Sequence, residues 1–141
     1  EYNLINRNIE KEMLPFLREK GISILSYYPL LSGFLTAKYD ENSNFPENDF
    51  RNYDPIFKYK ENFTIAKPLF VKMNEFAEKY EVSPAEIALN WLLKDDDIIP
   101  IPGAKKIEHI ETNIHATQWH LTKEEIAQLT KLTDNLELNT F

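Results

Sequence analysis

The sequence predicts an α/β fold built on parallel strands. A β-branched and aromatic run, Ile22-Ser23-Ile24-Leu25-Ser26-Tyr27, follows an amphipathic stretch and a glycine. Strand, helix and strand in that order are what parallel sheets are made of. Two capping boxes, Ser83-Pro84-Ala85-Glu86 and Thr122-Lys123-Glu124-Glu125, open helices on either side of a second short apolar run, Ile98 to Ile101. With 141 residues, 43% hydrophobic and 13% aromatic, the chain can bury a core. A globular chain of this size hides roughly 70% of its unfolded surface.

Each element has its own signal. Glu1 to Asn6 is short and partly apolar and reads as the end of a strand. Ile9, Met13, Phe16 and Leu17 recur at helical spacing up to Lys20, with Asn8 as N-cap and Pro15 disturbing the regularity. Gly21 stops that helix in the C′ position, and Ile22 to Tyr27 follows as a buried strand. Residues 36–62 hold Pro46, Pro55 and many Asn and Asp. They also carry Phe45, Phe50, Tyr53, Phe57 and Tyr59, with Phe63 at the boundary. A linker would be poor in aromatics, so this long segment reads as an ordered loop lying across the protein.

Phe63 to Tyr80 is a helix whose inner stripe is Ile65, Leu69, Phe70, Met73, Phe76 and Ala77. The helix opened by Ser83 runs to Lys94, and Asp95 to Asp97 make a solvated acidic turn. Ile98 to Ile101 is a buried strand and Gly103 a turn. Ile107, Ile110 and Ile114 mark a helix ending near Ala116, and the last helix occupies residues 122–135. Residues 1–141 thus read as one domain.

Composition excludes several classes. A net charge of -7 argues against nucleic acid, whose phosphates need a basic face. There is no cysteine, so disulfides and thiolate-bound metals are out. His109, His115 and His120 follow no metal-ligand spacing, and no metal is expected. The longest mostly apolar stretch, Ile22 to Leu35, is too short to span a bilayer, and no signal peptide is legible. The expectation is a soluble, acidic, cytoplasmic protein.

Two places carry chemistry. After the strand at Ile98 come Gly103, Lys105 and Lys106 and then a helix start. A helix N-terminus attracts anions, and two lysines there cost energy unless an anion offsets them. That is a hint of a phosphate site; two solvated lysines on a turn account for it equally. The second place is Ser26 to Gly33, directly after the other strand. Tyr27 offers a flat face for stacking, and Ser32 and Gly33 offer hydroxyl and amide donors to a phosphate. Ordinary core and rim aromatics remain the alternative for Tyr27 and Tyr28. No GxGxxG, Walker loop or GxSxG elbow is present.

Five stretches in order carry a resemblance: Glu-Tyr-Asn-Leu-Ile-Asn-Arg at 1–7, Ser-Tyr-Tyr-Pro-Leu-Leu-Ser-Gly-Phe-Leu-Thr-Ala-Lys-Tyr at 26–39, Phe-Pro-Glu-Asn-Asp-Phe-Arg at 45–51, Ser-Pro-Ala-Glu-Ile-Ala-Leu-Asn-Trp-Leu-Leu at 83–93 and Ile-Pro-Ile-Pro-Gly-Ala-Lys-Lys at 99–106. In these the chain resembles the C-terminal part of the aldo-keto reductases, in the branch that includes bacterial and archaeal reductases and potassium-channel β subunits. The resemblance implies the C-terminal portion of a (β/α)8 TIM barrel, with about three parallel strands, the sixth to the eighth, and flanking helices, incomplete as an isolated chain.

It further implies NADP (NADPH) as cofactor, held across the C-terminal mouth of the barrel. Tyr27 would stack on the nicotinamide, and Pro29, Leu30, Ser32 and Gly33 would line the pyrophosphate. Gly103, Ala104 and Lys105 would meet the adenosine 2′-phosphate, with His109 beside it and Thr112 and Asn113 near the adenine. Position 109 is usually Arg or Gln in the family and position 112 usually Glu, so His109 and Thr112 bear on the choice between NADPH and NADH.

The family's catalytic tyrosine, lysine, aspartate and histidine come from the first four strands, so the resemblance implies no catalytic residue in this chain. Its partners would then be the N-terminal half of the barrel and a small-molecule carbonyl substrate, with neither nucleic acid nor membrane. Two alternatives stay open: a non-catalytic nucleotide-binding or regulatory module, and a degenerate half-barrel that self-associates.

Overall fold

A computed structural model describes residues 1–139. Its α/β architecture is a two-stranded parallel sheet, β1 (Ile24–Ser26) beside β2 (Ile98–Pro100), with helices packed on one side. The register pairs Ile24 with Ile98, Leu25 with Ile99 and Ser26 with Pro100.

Glu1 to Asn6 does not form the third expected strand. The segment lies beside β1, joined by one long backbone bond, Tyr2 N–H to the Tyr27 carbonyl at 3.4 Å. Asn3 then turns the chain: its buried side-chain oxygen accepts from the N–H groups of Ile5 and Asn6 at 3.0 and 2.7 Å. An Asn that satisfies backbone donors locally competes with a ladder. Here it wins.

The first helix, α1, begins at Met13 rather than Ile9, after a short 3-10 turn over Asn8–Glu10. Pro15 explains the shift. It has no N–H to give, so it fits the first turn, where donors lack partners anyway. Gly21, at φ 65°, closes the helix with bonds from Gly21 N–H to the Arg18 carbonyl and from Ile22 N–H to that of Leu17. The acidic turn after the fourth helix is not simply solvated. Arg18 reaches it from α1, pairing with Asp97 at 2.7 Å and Asp95 at 3.0 Å.

Residues 36–62 contain a 3-10 turn, Phe50–Asn52, and a single helical turn, α2 (Pro55–Lys58). Their aromatics divide. Phe45, Phe57 and Phe63 cluster with Phe34 and Tyr39 at centroid separations from 5.1 to 6.1 Å, mostly edge to face. That is the geometry aromatic quadrupoles favour. Phe50 and Tyr53 point outward.

Two helices supply about half of the buried apolar residues. In α3 (Glu61–Tyr80) Ala66, Leu69, Met73 and Phe76 are buried, and α4 (Pro84–Leu92) buries residues on all sides, Ile87, Trp91 and Leu92 among them. The Ser83 and Thr122 capping boxes are both formed, at the starts of α4 and α6 (Lys123–Thr133). Asn90, buried in α4, donates to the carbonyls of Ala116 and Trp119 and accepts from the N–H of Leu121. One side chain thereby ties down the connection between α5 (Ile107–His115) and α6.

The isoleucine stripe of α5 faces outward, with Ile107 75% exposed. Leu25 and Ile99, neighbours on one face of the sheet, are 64% and 48% exposed. Apolar residues at helical and strand spacing do mark these elements, but none of the described residues covers them, so the strands are not buried on both faces as expected. No helix among the described residues is long and apolar enough to cross a membrane.

Candidate functional site

Because β1 and β2 run parallel in register, both chains leave the sheet at the same end. Ser26 stands opposite Pro100, and the N–H of Ile101 donates to the Ser26 carbonyl at 3.0 Å. One residue further, Tyr27 leads into the loop to Gly33, and Ile101 leads into the segment that opens α5. The two places singled out in the sequence are therefore neighbours. Loops at this end of parallel strands are where α/β proteins bind ligands.

Tyr27 is 56% exposed, a free ring face at the edge of this end. Pro29 is buried and Leu30 half-buried against the core. The backbone then takes an unusual course: Tyr28, Leu31 and Ser32 have φ of 61°, 48° and 51°, and Gly33 has 94°. A Cβ on Gly33 would stand 3.4 Å from the Tyr39 ring, and the left-handed backbone disfavours any other residue there.

On the other loop, Gly103, Ala104, Lys105 and Lys106 are all exposed. A Cβ on Gly103 would meet nothing within 4 Å, so the space above it is open. Lys106 is the N-cap of α5 and offers its N–H groups no side-chain acceptor. His109 and Asn113 are half-buried one and two turns along, with Thr112 between them, and the N–H of Lys105 donates to His109 Nδ1 at 3.4 Å. An exposed ring, open space over a glycine and an uncapped helix start beside two lysines offer a stacking face, and N–H donors with positive charge for an anion, at one end of the sheet.

The long loop reaches the same region. Arg51 lies over Phe45 and Tyr39, 4.2 and 4.9 Å from their ring centroids, and grips Asp49 through two nitrogens. Hydrogen bonds from Arg51 hold the Asp49 carboxyl well below the usual range, and the charge of Lys105 adds to the effect. The loop's Asp49–Arg51 pair is thus within electrostatic reach of Lys105.

Asp54 is the residue that sequence reasoning missed. Nearly buried, it caps α2 by accepting from Ile56 N–H at 3.1 Å, and its other oxygen accepts from the Tyr28 hydroxyl. The Tyr28 oxygen is in turn 2.6 Å from Ser32 Oγ. Burial, with the bond to Asp54 adding to it, pushes the Tyr28 phenol up to about 12. The Asp54-Pro55 pair carries the N-cap and N1 signature from which this could have been read. Among the described residues, no group of three or more His, Asp or Glu side chains is placed to hold a metal ion.

Comparison with known proteins bears on the family and the fold. The model of the aldo/keto reductase family matches residues 1–134. An NADP(+) aldo-keto reductase of Schizosaccharomyces pombe, yakc, is 35% identical over 98% of this chain and 42% of its own length. A glycerol dehydrogenase of Gluconobacter oxydans superposes with a TM-score of 0.83 at 30% identity, over 99% of this chain and 42% of that one. An aldo/keto reductase of Klebsiella pneumoniae, solved with NADP and acetate, shares the fold with a TM-score of 0.64 at 24% identity, over 99% of this chain and 40% of that one. The chain spans about 42% of the length of the first two curated relatives it matches.

Proposed function

The chain belongs to the aldo/keto reductase family, and from that premise we propose that it is the NADP-binding, C-terminal part of an oxidoreductase that reduces aldehydes or ketones. The observation that supports this most directly is the meeting of two loops at one end of the β1–β2 pair, one with an exposed tyrosine ring and one with two lysines at an uncapped helix start.

In this reading Tyr27 stacks on the nicotinamide, and Pro29, Leu30, Ser32 and Gly33 line the pyrophosphate. Gly103 leaves room for the backbone to approach the adenosine 2′-phosphate, Ala104 flanks it, and Lys105 supplies the charge. His109 lies beside that phosphate, with Thr112 and Asn113 toward the adenine. When bound, the cofactor supplies the hydride; these residues orient it and exclude water from its stacked face. The proton donor and the groups that tune it lie in parts of the relatives that this chain does not span. The remainder of the barrel would cover Leu25, Ile99 and the isoleucines of α5, which the described residues leave open.

The test is hydride transfer, followed as loss of NADPH absorbance with small aldehydes and ketones, in the protein that carries this chain at its natural length. Binding of NADPH without oxidation by any carbonyl would favour a regulatory nucleotide-binding module instead. Absence of binding would overturn both.

A further inference from the structure

We propose that Tyr28 and Asp54 withhold the Ser32 hydroxyl from the dinucleotide, so that the loop holds the pyrophosphate without that donor and Tyr28 acts as a positioning residue that sets cofactor affinity. This deepens the dinucleotide reading above and rests on it.

The argument is a count of protons. An ionised carboxylate only accepts hydrogen bonds, while a phenol and a serine hydroxyl each have one proton to give. Asp54 accepts from Ile56 N–H with one oxygen and from Tyr28 with the other. The Tyr28 proton is therefore committed to Asp54, and at neutral pH the phenol keeps it. The Tyr28 oxygen can then only accept, and its partner 2.6 Å away is Ser32 Oγ. The single Ser32 proton goes to Tyr28. A pyrophosphate oxygen is also an acceptor, so the hydroxyl has nothing left to offer it. The chain of bonds also bridges Tyr28 and Ser32, two left-handed positions in the loop, to the N-cap of α2, so the loop's course is held from outside itself.

One substitution reverses the chain without removing it. Asp54→Asn keeps an oxygen for Ile56 N–H, and Asn is a good N-cap. Its amide donates to the Tyr28 oxygen, the phenol then donates to Ser32 Oγ, and the Ser32 proton is released toward the ligand. Dissociation constants for NADPH, measured by quenching of protein fluorescence, read the result. Asp54→Asn is expected to lower Kd by about tenfold, and adding Ser32→Ala to it should abolish the gain.

Tyr28→Phe frees the same proton by a different route and should show the same dependence on Ser32. Should either variant fail to fold, the other carries the test; thermal melting without cofactor checks this. A gain in Asp54→Asn that survives Ser32→Ala would overturn the proposal, as would no gain in either variant. Failure of the unchanged protein to bind NADPH or NADH would instead overturn the dinucleotide reading, and this inference with it.

Discussion

The backbone N–H of Lys105 points at Nδ1 of His109, 3.4 Å away across the start of α5. His109 is half-buried there, while Lys105 is exposed. If Lys105 is the partner of a 2′-phosphate, Lys105→Ala should raise the Kd for NADPH by about tenfold or more and barely change that for NADH. Parallel titrations of the two cofactors decide it. Equal losses for both would sink the assignment.

His109→Arg is expected to act in the opposite sense. A guanidinium presents a fork of donors that a histidine lacks, and forks suit phosphate oxygens. The variant should tighten NADPH several-fold while leaving NADH nearly unchanged. The ratio of the two dissociation constants is the quantity to measure.

Glu125 anchors α6 to α3. Nearly buried, it accepts from Lys79 and from the Tyr80 hydroxyl, each at 2.6 Å, and closes the Thr122 capping box. Burial alone would raise its pKa, but these hydrogen bonds outweigh it and hold the carboxyl down to about 2. A carboxyl lowered by folding stabilises the fold while it is ionised. Its contribution is complete above the ordinary value of 4.5 and is lost as pH falls toward 2. Urea midpoints measured across that window should fall in the native protein and fall less in Glu125→Gln. That variant should itself be less stable by about 2 kcal/mol at neutral pH.

Asn90→Ala removes one side chain and strips three buried backbone groups of their partner. Each such group costs roughly 1–3 kcal/mol, so the substitution should destabilise the protein by about 3 kcal/mol or more. Denaturant unfolding measures it. A loss below about 1 kcal/mol would mean that water replaces the amide.

Glu81 ends α3 at φ 56°, where Val82 N–H donates to the Ala77 carbonyl at 2.9 Å. Glycine adopts this conformation without strain. Glu81→Gly should therefore stabilise the protein by about 1 kcal/mol, seen as a higher urea midpoint with an unchanged slope.

What could be read in advance depended on how local its cause was. Ser83 and Thr122 cap helices through contacts three residues away, and Gly21 ends one within its own last turn, so these were legible. That the segments after Ser26 and Pro100 leave the sheet at one end followed from parallel strands. Glu1 to Asn6 misled because its composition suits a strand while Asn3 turns it, a contest between a side chain and a ladder. Ile98 to Ile101 announced a strand and, misleadingly, its full burial, since an apolar run does not say what covers each face: Ile99 and Ile101 are exposed. The link from Tyr28 to Asp54 spans two loops. Only the N-cap half of it was written locally.

The pairing of Ile24 with Ile98 also dictates an order of events as the chain folds. Those residues stand far apart along the chain, with the whole of α3 and α4 between them, and closing so long a loop is entropically unfavourable until something shortens it. The adjoining helices α3 and α4 need only a tight turn to meet. The helical pair therefore assembles first and carries the strand ends toward each other, and the sheet zips last. Substitutions such as Met73→Ala on the buried face of α3 should slow refolding, whereas changes in β1 or β2 should chiefly speed unfolding. The end of the molecule where a ligand would sit is, on this account, the last part of it to exist.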